Sequence, residues 1–82
     1  SLTVAINQTG CDVVILVAGT QTVLASVDAQ AGTSFSYSYS GTSNVDIGVI
    51  KQGFTVSYTY NFALTGTNAI LPINLLPDRT YQ

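Results

Sequence analysis

Few side chains in this chain can move a proton, attack an electrophile or hold a metal. Its 82 residues include four aspartates (Asp12, Asp28, Asp46 and Asp78), two cations (Lys51 and Arg79), one cysteine, and neither Glu nor His. Acid–base catalysis near neutral pH draws on His, or on carboxylates whose surroundings push their titrations apart. Asp12 and Asp28 flank expected turns, Asp46 falls on the solvent side of an expected strand and Asp78 lies in the tail, so all four read as solvated. Calcium needs several oxygens within about 2.5 Å, and no Asp-x-Asp spacing gathers them. A transition-metal site needs His or clustered Cys. No catalytic, cofactor-binding or metal-ligating residue is expected, and the chain reads as a non-enzyme.

The remaining reactive groups have structural readings. Cys11 follows Gly10 at a strand entrance, with no His beside it to generate a thiolate, and reads as a small residue tucked near a turn. An intermolecular disulfide is the alternative. Asn7-Gln8-Thr9 spells the glycosylation sequon, which matters only in a compartment that reads it. Tyr37, Tyr39, Tyr58 and Tyr60, with Phe35, Phe54 and Phe62, read as the inner wall of a two-layer protein. Alternatively, the four tyrosines form a platform for carbohydrate.

Charged residues make up 7% of the chain, against roughly a quarter in an ordinary soluble domain, so its surface is finished with Ser, Thr, Asn, Gln and Tyr. Such a surface suits a protein that lives against other protein. The net charge is −2 and the two cations are far apart, which leaves no basic track for nucleic acid. The longest apolar run, residues 13–18, is far short of the ~20 residues a membrane-crossing helix needs, so no membrane span is expected. The chain starts at Ser1 and contains no Met, from which we expect a removed leader or initiator Met, or excision from something longer.

A period of two runs through the sequence, interrupted by Gly, Asn and Asp clusters. Leu2, Val4 and Ile6 alternate with polar or small neighbours; the run 13–17 reads as a strand covered on both faces. Residues 21–27, 34–40, 45–50 and 54–62 give four more strands. Residues 70–75 give the seventh, which Pro72 confines to a sheet edge or a bulge. Seven short strands without a helical window predict an all-β fold, a seven-stranded antiparallel β-sandwich, as one domain over residues 1–76 with a tail at 77–82.

Between Val27 and Phe54 the chain presents Asp28, Gly32, Phe35 and Tyr37, then Val45, Ile47, Val49, Lys51, Gly53 and Phe54. An Asp, a Gly turn and an alternating aromatic strand, followed by a Val-x-Val-x-Lys-x-Gly-aromatic ending, resemble the transthyretin-like group of modules. That group includes the carboxypeptidase-regulatory-like and collagen-adhesin B-type domains. The resemblance implies a sandwich, transthyretin-like or immunoglobulin-like. Adhesin-type relatives also suggest a Lys–Asn isopeptide link, here Lys51 with Asn61 or Asn74, but the promoting carboxylate has no position in this chain; a solvated Lys51 guarding a strand end is the simpler expectation. The stretches Ile47 to Phe54, Leu71-Pro72-Ile73 and Asp78-Arg79-Thr80-Tyr81 are similar to the ends of small structural modules in tailed phages, which implies a virion.

A soluble monomer blunts its strand edges with charge or proline, and only Lys51 and Pro72 stand out for that task. The sequence therefore predicts a structural module of a multi-copy assembly: a phage virion component in a capsid decoration, tail or fibre. Its partners would be copies of itself or other structural proteins of the same assembly, with contacts through Val13, Ile15, Val17, Ile70, Pro72, Ile73, Leu75, Arg79 and Tyr81. The alternatives are a cell-surface adhesin or carbohydrate-binding module using the tyrosines, and a subunit of an extracellular filament.

Overall fold

The computed structural model describes residues 1–39, 43–64 and 68–78. Expectations at Ser40, at the Gly66 turn, and at Arg79 and Tyr81 lie outside them. Among the described residues the chain is all-β, with seven strands: β1 (Leu2–Ile6), β2 (Asp12–Val17), β3 (Val23–Val27), β4 (Ser34–Tyr37), β5 (Val45–Ile50), β6 (Ser57–Phe62) and β7 (Ala69–Ile73). They form a three-stranded sheet ordered β4-β1-β7 and a four-stranded sheet ordered β3-β2-β5-β6.

Alternation sorts the side chains. Leu2, Val4 and Ile6 of β1, Val13 and Ile15 of β2, and Val45, Ile47 and Val49 of β5 are buried in one cluster. Cys11, Leu64, Ala69, Ile73 and Leu75 complete it. Phe35, Tyr37 and Tyr39, which share one parity, pack against its flank, as do Phe54 and Phe62. Burial of a Val, Leu or Ile side chain stabilises by about 1.5–3 kcal/mol, so this cluster is the main favourable term for so small a domain.

The structure departs from two expectations. The ladder of β1 with β7 is parallel, running from Leu2↔Ala69 to Ile6↔Ile73, while the other four ladders are antiparallel. Antiparallel pairing is the default for strands joined by short turns, and β7 reaches β1 from the far end of the chain instead. The strand covered on both faces is β5, buried from Val45 to Val49, whereas β2 buries Val13 and Ile15 and leaves Val14, Leu16 and Val17 half-buried. An unbroken apolar run does not by itself say which strand lies centrally.

The edges carry more protection than charge counting suggests. Pro72 sits in the edge strand β7, where the sheet loses no donor to it. β4 has only four residues. Both edges of the four-stranded sheet are bulged: β3 at Leu24, opposite the Ile15/Leu16 step, and β6 at Tyr60 and Asn61, opposite Asp46. Short strands, proline and bulges are recognised means of blunting an edge, so the paucity of charge does not leave the edges bare. Beside β6, the Thr55 N–H donates to the Leu76 carbonyl (2.8 Å) and the Asp78 N–H to the Gly53 carbonyl (3.0 Å), which ties the segment after β7 to the four-stranded sheet. Gly53 turns there at φ +86°, a conformation a residue with Cβ resists.

Candidate interaction surface

The outer face of the four-stranded sheet is built by register. Ser26, Val14, Gly48 and Tyr58 lie level across β3, β2, β5 and β6; Val23, Leu16 and Asp46 form the next row, and Asp12 and Ile50 the row at the other end. Gly48 has a steric task. A Cβ there would stand 2.8 Å from Tyr58 Cε1 and 3.0 Å from Val14 Cγ1, so the Tyr58 ring lies across bare backbone. Tyr58 stacks on Tyr60, with ring centroids 5.9 Å apart and planes at 21°.

This corrects the inner-wall reading for two of the seven aromatics. Tyr58 and Tyr60 are 53% and 70% exposed, although Phe54, Tyr58, Tyr60 and Phe62 share one parity in sequence. The alternation breaks twice. Residues 55–56 separate Phe54 from β6, and the bulge inserts Asn61 at φ +57°. Each break reverses the side-chain sense, so the phenylalanines face the core and the tyrosines face out.

Asp46 holds that bulge. Its Oδ1 accepts the Asn61 N–H at 2.8 Å and its Oδ2 accepts the Gly19 N–H at 3.0 Å. The side chain is buried, not solvated as the alternation suggests, and it fixes both the turn after β2 and the position of the exposed tyrosine pair. Asp12 is likewise engaged, accepting the Ala29 N–H at 2.8 Å.

On this face, Val23 is 54% exposed and Val14, Leu16 and Ile50 are half-buried. Asp12 and Asp28 border it at one end, around a hollow of about 300 Å³ also lined by Val14, Val23, Ser26 and Ile50. The opposite sheet presents Thr3, Ser34 and Ser36 with Ile70 and Pro72, a more polar outer face. Of the contact residues read from sequence, Ile70 and Pro72 are exposed and Val17 is half-buried. Val13, Ile15, Ile73 and Leu75 are core residues and offer a partner nothing in the folded chain. The four tyrosines read as one platform divide: Tyr37 and Tyr39 pair at 6.2 Å while half-buried against the core, and Tyr58 and Tyr60 stand outside.

Among the described residues no three potential metal ligands converge, and no helix is long and apolar enough to cross a membrane. Lys51 is not a free guard of the strand end: its Nζ donates to the Thr9 carbonyl at 2.6 Å and lies 5.4 Å from the Phe54 ring centroid. The two asparagines considered as its isopeptide partners are bonded elsewhere, Asn61 to Asn44 and Asn74 to Asn7.

Cys11 is fully buried, its Sγ 3.6 Å from the Gln8 carbonyl oxygen. Burial pushes its thiol above the ordinary 9.0, with Lys51 pulling it back and Asp12 adding to the rise. The folded chain then holds this proton more tightly than the unfolded chain. The contribution to stability is intact below pH 9 and declines as pH rises from there through the folded value. Urea titrations at pH 8 and pH 10 are expected to show a decline in wild type that is smaller in Cys11→Ala.

The sequon residue Asn7 also has a structural role, one that composition does not reveal. Its Oδ1 accepts the Leu75 N–H at 2.8 Å, and its Nδ2 donates to the Leu75 carbonyl at 3.0 Å and to Asn74 Oδ1 at 2.9 Å. The carboxamide thus replaces a strand neighbour for Leu75, and a glycan on Nδ2 would displace that pairing. Asn7→Ala is expected to cost about 1–2 kcal/mol in thermal or urea unfolding.

Comparison of the chain with protein-family models, with curated proteins and with solved structures returns no match.

Proposed function

We propose that the chain is a non-enzymatic structural module of a multi-copy assembly, and that it meets other protein through the outer face of its four-stranded sheet. The carrying observation is the exposed Tyr58–Tyr60 stack on one margin and the exposed Val23 on the other, on a face whose one central charge, Asp46, is buried and fully engaged. Covering the exposed parts of the two rings removes about 250 Å² from water, about 6 kcal/mol gross. Association costs about 4–15 kcal/mol in lost freedom, so the rings alone do not suffice and the surrounding valines and isoleucine must be covered too.

Within this reading the module is a virion component, in the capsid decoration, tail or fibre of a phage, as its likeness to tailed-phage modules suggests. Its strand order favours the transthyretin-like over the immunoglobulin-like sandwich. An immunoglobulin constant domain keeps its first, second, fourth and fifth strands in one sheet, whereas here the first and fourth lie apart from the second and fifth. Immunogold labelling of the native source tests the assignment. Regular decoration of a particle supports it, and diffuse soluble label overturns it.

The exposed tyrosine stack also favours a second reading, a carbohydrate-binding module, because flat aromatic rings on an uncharged face suit the apolar side of a sugar. Glycan-dependent retention of a strictly monomeric protein would favour this reading.

A further inference from the structure

The outer face is uneven in a way that fits itself. Tyr58 and Tyr60 stand as a ridge on β6 at one margin, and the hollow of about 300 Å³ lies at the other, between β2 and β3. The two features share a level, since Tyr58 is in register with Gly48, Gly48 with Val14 and Val14 with Ser26. A two-fold axis parallel to the strands, passing between β2 and β5, exchanges the two margins while keeping each level. Copied by that axis, the ridge of one molecule enters the hollow of the other, twice.

We propose that the occupant of this face is a second copy of this chain, in an isologous pair with Tyr58 seated over Val14 and Ser26 and Tyr60 over Val23. The proposal rests on the multi-copy reading above and specifies its first contact. The polar groups match: tyrosine hydroxyls are donors, and Ser26, Asp12 and Asp28 at the hollow are acceptors. The like charges do not collide, because the axis carries Asp12 and Asp28 to the opposite margin of the partner. Four strands about 4.8 Å apart and five to six residues long span roughly 20 by 20 Å. With rings standing on it, that area reaches the lower end of specific interfaces, about 600 Å² per partner, so the pair is concentration-dependent.

The test is directed disulfide formation between two variants, Tyr60→Cys and Val23→Cys. Both positions are exposed, and Cys11 is buried and does not compete. Within one chain the two positions are three strand spacings apart, roughly 14 Å, beyond the reach of a disulfide. The same separation divides position 60 from its own copy across the axis. Mild oxidation of the mixture is expected to give a disulfide-linked pair of one chain of each variant, with either variant alone remaining single. Cross-linking of Tyr60→Cys alone, or no cross-link in the mixture while wild type still self-associates, overturns the pairing and leaves the multi-copy reading in place. If wild type stays monomeric at millimolar concentration, both fall. Oligosaccharide-induced NMR shifts confined to Tyr58 and Tyr60 in such a monomer would reassign the face to glycan.

Discussion

Asp46→Ala is expected to lower the unfolding free energy by about 3 kcal/mol, read from urea denaturation followed by circular dichroism. The carboxylate accepts two backbone N–H groups, from Gly19 and Asn61, and alanine leaves both without that partner. An orphaned donor costs about 1–3 kcal/mol, and the lower half of that range applies because both bonds are only part-buried. Asp46→Asn keeps one acceptor oxygen and should lose about half as much. The total stability of a chain this size is about 4–12 kcal/mol, so the alanine variant sits near the margin of folding. Its effect also reaches the surface, because the Asn61 bulge that Asp46 holds follows directly on Tyr60 and turns Phe62 back to the core.

The next residue along β5 should show a comparable loss for the opposite reason. Ile47 is 1% exposed, in the central cluster between the sheets. Ile47→Ala removes apolar contacts and leaves a cavity, with an expected cost of about 3–4 kcal/mol. Adjacent positions thus fail separately: position 46 through unpaired polar backbone, position 47 through lost packing. Differential scanning calorimetry of both variants should show large falls in Tm. A small loss at 47 would mean that the two sheets do not close on this strand.

Much of this layout was legible from the period of two. Each of the seven strands overlaps the segment the alternation marks, although β3 and β6 start later than residues 21 and 54 and β4 ends at Tyr37, and Leu2, Val4, Ile6, Val45, Ile47 and Val49 are buried on the faces it assigns. Pro72 correctly marked an edge. Failures came wherever a local rule was overridden by something distant in sequence. Parity alone places Tyr58 and Tyr60 with Phe54 and Phe62, and only the breaks at residues 55–56 and at Asn61 part them. Nothing in the pattern announces the bulge, although a short polar residue able to adopt positive φ, at position 61, is the type such a bulge accepts. Asp46 looked solvated because its acceptor role depends on Gly19, 27 residues away. The apolar run at 13–17 suggested a contact strand, whereas Val13 and Ile15 are spent on the core and the surface belongs to Val14 and Leu16.

Scarcity of Lys and Arg suggested open rims awaiting a neighbour, yet a short β4, Pro72 and two bulges blunt them without charge. In the proposed assembly the partner therefore meets a face, not a rim.

Sedimentation equilibrium of the wild-type chain from micromolar to millimolar concentration tests that claim most directly. The expected result is a mean mass that rises with concentration above the 8.6 kDa of one chain, and a rise that weakens when Tyr58 and Tyr60 are both replaced by serine. A mass fixed at one chain across the whole range, or a rise untouched by the double replacement, would contradict it.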